Sequence, residues 1–498
     1  MTRADRGAQS LGIPGGVLME RASVEMYRAI LEHFGSVTGR RVLVAAGGGN
    51  NGGDGFVIAR ELHRDGAGVT VVTVKDEYEG DAAVNLGILK NLDVRLVGRE
   101  AFDEELAHAE LVVDALLGTG FEGEVRGDLK ELIEGIDGSG LPVVAVDVPS
   151  GVNGSTGEVA GPAVRASLTV CAHAAKVGCV VSPGRDHAGR VEVVDIGIPP
   201  EAEVEPTTTW TDASSLSGLV PRRMGAAHKY SAGSLLIVAG SASATGATVM
   251  VGRGAQRAGC GIIFVVTSAS AAHRVDAALT EALVSGAPED ENGLMSGDAV
   301  EHILQMSEKA SAIVLGPAAG VGEGGRRLVE GVLGGTDLPV LLDADAITNL
   351  PGPEALLRLR RGGPTVITPH AGELGRLLGT GAEEVSARRL HAARRTAEEG
   401  ASCVLLKGND TLIAEGERVS VNSTGTHALA TAGTGDVLSG VIGALLSRGM
   451  GPYDAARAGA WAHGRAAELW LETTGRPAES MVATDLFSYL PEAFAELF

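Results

Sequence analysis

Two series of short apolar runs, rich in β-branched residues and closing on Gly, Asp or Pro, constrain this chain more than any other feature. In the first half they are RVLVAA from Arg41, VTVVTV from Val69, DVRLV from Asp93, LVVDAL from Leu111 and PVVAVD from Pro142, with later runs near Leu168 and Val191. In the second half they are SLLIVAG from Ser234, GIIFVVT from Gly261, SAIVLG from Ser311, PVLLDAD from Pro339, PTVITP from Pro364 and SCVLLKG from Ser402. Helical stretches such as FVIARELHRDG and GDLKELIEGIDG separate them. Continuous apolar runs signal strands covered on both faces, and their alternation with helices signals βα units around a mostly parallel sheet. The expected fold class is α/β, in two domains. Ile198 to Leu216, IPPEAEVEPTTTWTDASSL, lacks periodicity and reads as the connector. The expected domains are therefore residues 1–205, a doubly wound sheet, and residues 206–498, a second α/β domain.

Composition narrows the function. A net charge of −22 argues against a nucleic-acid or anionic-membrane surface. An anionic substrate must then be held locally, by backbone N–H groups and a few cations. Cys171, Cys179, Cys260 and Cys403 have neither zinc nor disulfide-scaffold spacing, so buried thiols in a reducing compartment are expected. The N-terminal MTRADRGAQSLGIPGG lacks an apolar signal core, and no run approaches a membrane span. A cytoplasmic protein is expected.

The stretch Asn422 to Gly440, NSTGTHALATAGTGDVLSG, carries the strongest chemical signal. Gly433 and Gly435 bracket a tight turn, and Asp436 stands where an apolar helix begins. A helix N-terminus offers unpaired N–H groups and a positive dipole end to an anion. Asp436 beside that anion is placed to take a proton from a hydroxyl as a phosphoryl group arrives. The plain alternative is an Asp that caps the helix.

In the first half, GGGNNGGDG follows a strand and opens a helix. Gly47, Gly49 and Gly52 fit G-x-G-x-x-G, and Asp76 follows the next strand where a ribose-binding acid would stand, so a Rossmann dinucleotide site is one reading. It leaves Asn50, Asn51 and Asp54 unexplained, and these suit a cation and a phosphate held together. Asp114 and Asp147 end strands, and with Asn51 and Ser150 they form a candidate oxygen cage for a cation. Each Asp could instead cap a turn.

GGGNNGGDGFVIAREL, VVDALLGTGFEGEVRG and VAVDVPSGVNGSTGEV resemble the YjeF N-terminal family, the NAD(P)HX epimerases, and ADRGAQSLGIPGGVLMERAS resembles that family's opening helices. The resemblance covers nearly all of the first half. It implies epimerisation of the hydroxyl-bearing carbon of hydrated NADH or NADPH with a potassium ion bound. Asn50, Asn51, Gly52, Gly53 and Asp54, with Gly118, Thr119, Gly120, Phe121, Glu122, Gly123 and Glu124, would hold the hydrated nucleotide. Asn51, Asp114 and Ser150 would bind potassium, and Asp147 would contact the substrate as the acid–base residue. Lys176, in AHAAKVG, matches a family lysine and would assist; on its own it suits a solvated loop equally well.

In the second half, HKYSAGSLLIVAG, GPAAG at Gly316, LDADAITNL, TPHAGELGRLLG, LLKGNDTLI and the GTGD turn each put Gly, His, Lys or Asp at a strand end. His370 suits either a core or a strand-to-helix turn in the crevice. Lys407 and Gly408 form a turn fit for phosphates. The set resembles the YjeF C-terminal family, the nucleotide-dependent NAD(P)H-hydrate dehydratases of the ribokinase-like superfamily, from about Leu219 onward. It implies that Ala247, Ala318, His370 and Asp436 face the hydrated nucleotide, with Asp436 as the base. It implies that Lys407, Gly408, Asn409, Asp410, Thr411 and Gly435 hold ADP, with magnesium. The family usually has Gly at Ala318 and at Ala432.

Together the resemblances imply a two-domain, Rossmann-like and ribokinase-like repair enzyme. It would interconvert R- and S-NAD(P)HX and dehydrate the S form with ADP, releasing AMP and phosphate. Its partners would be these small molecules, with no nucleic acid and no membrane, in a homo-oligomer. Two alternatives stand beside it: a ribokinase-like kinase of small alcohols such as vitamin precursors, and a first domain that only binds protein or RNA.

Overall fold

The computed structural model describes residues 2–222 and 232–498. The chain divides into two compact units, Met1–Pro206 and Thr207–Phe498.

The first unit is built on seven strands: β1 (Arg41–Ala46), β2 (Gly68–Thr73), β3 (Arg95–Gly98), β4 (Leu111–Ala115), β5 (Val143–Val146), β6 (Leu168–Ala172) and β7 (Arg190–Val194). Their order is β3-β2-β1-β4-β5-β6-β7, and every pairing is parallel. Successive residues of β1 divide between two cores. Val42, Val44 and Ala46 join Phe56 and Ile58 on one face, while Leu43 and Ala45 join Val112, Ile133 and Ile136 on the other. The period of two and the absence of a polar face explain why these strands read as continuous apolar runs. Order reverses between β1 and β4, and at such a switch point the crevice at the carboxyl ends of the strands is open.

The second unit contains ten strands: β8 (Thr208–Thr211), β9 (Ser234–Val238), β10 (Ile262–Ser268), β11 (Ala282–Ala287), β12 (Ala312–Leu315), β13 (Val340–Leu342), β14 (Thr365–Ile367), β15 (Cys403–Leu406), β16 (Leu412–Glu415) and β17 (Arg418–Asn422). They run β11-β10-β9-β12-β13-β14-β15-β16-β17-β8, and only β16 is antiparallel to its neighbours. The switch point lies between β9 and β12. The stretch from Ile198 to Leu216 is more ordered than a connector: it holds β8, which pairs in parallel with β17, and a short helix, Ala213–Leu216, closed by an Asp212 capping box. Part of HKYSAGSLLIVAG, namely His228 to Ser231, lies outside the described residues.

Helix Thr434–Ser447 carries Asp436 and packs backbone to backbone on helix Thr245–Arg257. A Cβ at Gly440 would lie 2.0 Å from the Val251 carbonyl oxygen, and one at Gly254 would lie 2.5 Å from that of Val437. Buried Val437, Val441 and Leu445 fill the seam against Leu235, Val251 and Ala255. Gly440→Val forces the helices apart and should destabilise the chain by about 3 kcal/mol or more. Urea or thermal unfolding checks this; an unchanged midpoint would mean that the contact is not close in solution.

Candidate functional site

In the first unit the Gly-rich run is a packing device before it is anything else. A Cβ at Gly47 would lie 1.7 Å from the Leu116 carbonyl oxygen, and one at Gly52 would lie 1.9 Å from that of Gly47. A Cβ at Gly55 would meet the Ala115 side chain at 2.7 Å. Helix Asn50–Arg64 is thereby pressed onto the ends of β1 and β4. Its N-cap is Gly49, with no side-chain cap, so its first N–H groups are left for another acceptor.

A cavity of about 1130 Å³ opens over this edge. Asn50, Asn51, Asp54, Gly118, Thr119, Gly120, Phe121, Glu122 and Asp147 line it. Gly52 and Gly53 instead turn inward, because helix packing uses them. Gly123 lies outside the lining, as does Glu124, whose carboxylate pairs with Arg126 at 3.4 Å on the surface. Asp76 and its neighbour Lys75 are both exposed, but only Lys75 stands in the wall of this cavity.

Asn51, Asp114 and Ser150 are brought together around Leu117. The Asn51 amide donates to the Leu117 carbonyl at 3.1 Å, and the Leu117 N–H donates to Ser150 Oγ at 2.9 Å. The Ser150 hydroxyl and N–H donate to the two oxygens of Asp114 at 2.6 and 2.8 Å. Asp114 and Ser150 are fully buried, and burial pushes the Asp114 carboxyl up to about 6 although the Ser150 hydrogen bonds oppose it.

Asp147 follows β5 with φ +68°, in the left-handed region that few side chains adopt. That turn aims its carboxylate at the cavity. Lys176 lies 2.7 Å from Asp147 Oδ1, and the Ala172 N–H donates to the same oxygen at 3.1 Å. Oδ2 has no partner among the described residues. Lys176 is buried, with its ammonium also donating to the carbonyls of Ala172 and Ala174 at 2.7 and 3.0 Å. It is no solvated loop lysine. Burial opposes its charge, but the Asp147 carboxylate prevails and its pKa is raised. All four cysteines are buried and free; Cys171 and Cys179 approach to 3.9 Å beneath Asp147.

In the second unit the groups converge at the ends of β13, β14 and β15. Lys407 lies 3.0 Å from Asp343 Oδ1 and 3.8 Å from Glu373 Oε2. Asp343 is buried and also accepts from Thr368 at 2.9 Å and Ser439 at 2.8 Å, which ties two strand ends to the Asp436 helix. That helix has Gly433 at its N-cap with φ +89° and no side-chain cap, and Thr434 pins the turn to the carbonyls of Leu429 and Thr431. A Cβ at Gly435 would lie 3.7 Å from the Lys407 ammonium, so this turn and that cation adjoin. Burial, reinforced by the Asp343 charge and opposed by Lys407, pushes the Asp436 carboxyl up to about 6. Asp436 is thus no ordinary cap: its side chain bonds no N–H of its own helix.

His370 is neither a core residue nor loose. Its Nδ1 accepts from the N–H groups of Gly372 and Glu373 at 3.0 and 3.2 Å, and Glu373 accepts from the His370 N–H in return. This capping box leaves Nε2 3.5 Å from Glu373 Oε1, on a side chain 54% exposed. Asp410 turns inward: it is buried and paired with buried Arg389 at 3.0 Å, so it holds the Lys407–Thr411 turn from behind, while Gly408 and Asn409 are exposed. Thr411 bonds back to the Gly408 carbonyl at 3.0 Å. Ala247 lies half-buried in the first turn of helix Thr245–Arg257. Ala318 has φ +53°, a conformation in which Gly costs less by about 1 kcal/mol, while Ala432 is exposed with ordinary φ. Asp343 and Glu373 carry no sequence signal of their own beyond the acid in LDAD and the GEL after His370. Their pairing with Lys407 is what makes them part of the site.

A family model described as NAD(P)H-hydrate dehydratase matches residues 235–492, and one described as YjeF-related protein N-terminus matches residues 15–178. The bifunctional NAD(P)H-hydrate repair enzyme Nnr of Moorella thermoacetica is 37% identical over all of this chain and 96% of its own length. The chain belongs to the NAD(P)H-hydrate repair family. The Salinibacter ruber enzyme of the same description is 38% identical over all of this chain and 95% of its own length. The ADP/ATP-dependent NAD(P)H-hydrate dehydratase of Bacillus subtilis, co-crystallised with ATP and Mg2+, shares 30% identity with a TM-score of 0.51, covering 58% of this chain and 99% of that one. Full-length membership of the repair family displaces both the small-alcohol kinase and the binding-scaffold alternatives. No described helix is long and apolar enough to cross a membrane.

Asp54 gives this site a stability signature. Burial, with Asp147 and Asp5 adding to it and the Ser23 hydrogen bond at 2.8 Å opposing, pushes its carboxyl up to about 7. The folded pKa lies above the unfolded one, so stability is fully present at low pH and falls between about pH 4 and pH 7, then levels. Asp54→Asn keeps an acceptor for Ser23 and removes that slope. At about pH 8 it should melt higher than the parent by about 5 °C, the gap closing toward pH 4. Parallel melting curves with pH would refute this.

Proposed function

We propose that the chain repairs hydrated NADH and NADPH in two steps, epimerising the R and S forms in the first unit and dehydrating the S form with ADP in the second. The observation that carries this reading is Asp436: a carboxylate pushed up to about 6, at an uncapped helix N-terminus beside Lys407. A general base works best near the operating pH, and an uncapped N-terminus is an anion cradle.

In the second unit Asp436 takes the proton of the ring hydroxyl, whose oxygen attacks the terminal phosphorus of ADP as AMP departs. The N–H groups around Gly435 and the Lys407 ammonium offset the charge on the transferring group. Asp343 and Glu373 fix Lys407 in place. The ring nitrogen then expels phosphate, and loss of a proton from the adjacent carbon restores the double bond. Ala247, Ala318 and His370 would face the nicotinamide part, and Gly408, Asn409 and Thr411 the adenine nucleotide. Among the described residues no cluster of three or more acids, histidines or cysteines could cage a metal, so magnesium fits only as an ion carried on the nucleotide phosphates, where it would supply charge neutralisation.

In the first unit Asp147 Oδ2 would protonate the ring hydroxyl, which leaves as water as the ring nitrogen's lone pair forms a planar iminium, and would then take a proton from the water that adds to the opposite face, while Lys176 and the Ala172 N–H hold Oδ1. Asn51, Asp114, Ser150 and the Leu117 carbonyl offer hard oxygens with a single carboxylate charge, a donor set that fits potassium rather than a divalent ion. Bound there, potassium would supply positive charge beside buried Asp114.

Asp436→Asn should abolish ADP-dependent recovery of reduced nicotinamide absorbance from mixed-epimer NADHX and leave epimerisation intact. Asp147→Ala should stop epimerisation alone, so that recovery halts at the S half. Normal dehydration by the first variant would remove Asp436 from its role. In the parent, kcat/KM for dehydration should fall as pH drops below about 6, because a protonated Asp436 cannot act as base. Lys407→Met should move that limb upward, since the ammonium lowers the Asp436 pKa; a limb that stays in place would separate the two groups.

A further inference from the structure

Lys75 lies two residues beyond β2, in the wall of the first unit's cavity. Its side chain runs across Gly48: a Cβ at that glycine would lie 2.4 Å from Lys75 Cε and 2.9 Å from Nζ. The ammonium therefore sits against the Gly-rich loop, and it makes no ion pair or hydrogen bond with any described residue. Arg126, also in the wall, is engaged by Glu124 at 3.4 Å.

The order β2-β1-β4-β5 lays the cavity out as a line. Asp147 follows β5, the uncapped helix Asn50–Arg64 follows β1, and Lys75 follows β2. Three strand spacings, about 14 Å, separate the ends of this line. A dinucleotide with its reacting ring at Asp147 and its pyrophosphate at the helix N-terminus brings its far ribose to the end of β2. In sheets of this order an acid at that place accepts the ribose 2′-hydroxyl, while a cation accommodates a 2′-phosphate. Here both side chains are exposed, but the cation, Lys75, lines the cavity and the acid, Asp76, does not.

We propose that Lys75 reads the 2′-phosphate and sets the epimerase unit's preference for NADPHX over NADHX. The proposal rests on the epimerase reading of this cavity. A free ammonium against a dianionic phosphate forms a charge-assisted contact that the 2′-hydroxyl cannot match, so the preference appears as a ratio of kcat/KM values.

The test follows interconversion of separated R and S epimers of NADHX and of NADPHX by chromatography, in the full chain without ADP, so that dehydration stays silent. The parent should favour NADPHX by about tenfold or more. Lys75→Ala should bring that ratio close to unity and Lys75→Arg should restore most of it, with melting temperatures of all three alike. An unchanged ratio in Lys75→Ala, or an equal loss on both substrates, would overturn the assignment; the equal loss would place Lys75 at the pyrophosphate. A parent that interconverts neither substrate would overturn the epimerase reading itself, and a parent that handles both equally would overturn only the role of Lys75.

Discussion

A parallel sheet buried on both faces leaves its carboxyl edge as the place where turns and side chains can meet a ligand, and both units depend on that constraint. Backbone N–H groups and strand-end acids project there because nothing covers them, while helices seal the two faces with apolar side chains. Glycines then decide how close the next helix comes. At Gly47 and Gly52 the approach leaves no room for a methyl group, so the N-terminus of helix Asn50–Arg64 is carried to the rim of the cavity.

The charges at the two edges are managed differently. In the second unit one ammonium, Lys407, faces Asp343 and Glu373 and adjoins the Asp436 turn, and burial, with the Asp343 charge added and Lys407 opposing, pushes the Asp436 carboxyl up to about 6. In the first unit Asp147 meets a single buried lysine at 2.7 Å, and both contacts fall on one oxygen. The buried arrangement yields a base that titrates near pH 6. The simpler pair yields a carboxylate fixed in direction, with one oxygen turned to the cavity.

The strands covered on both faces were legible because continuous apolar runs have few other uses. Those that escaped notice lack that mark. β11 sits at an edge with Leu283 exposed and Ser and Gly within it, β16 and β17 form a short antiparallel hairpin, and β8 is mostly threonine. At the sites, residue type and place at a strand end were visible, but partnership was not. Asp343 and Lys407 are 64 positions apart, and no spacing rule joins them. Sequence alone let Lys176 be either an assisting lysine or a solvated loop lysine, and only β5 and β6 bring it to Asp147. Lys75 and Asp76 differ by one position, and only the turn after β2 decides which of them enters the cavity.

β8 bears on how the chain can be divided. Its partner, β17, lies some two hundred positions onward, with Thr209 and Val419 separated by 210. The first strand of the second unit is consequently the last of its sheet able to pair, and on a ribosome it must wait for about three quarters of the unit to emerge. An expression boundary drawn at the first obvious apolar run, Ser234, would omit it. The product would keep its central strands but present the outer edge of β17 unpaired, a template for sticking to other copies. A cut before Thr208 avoids that.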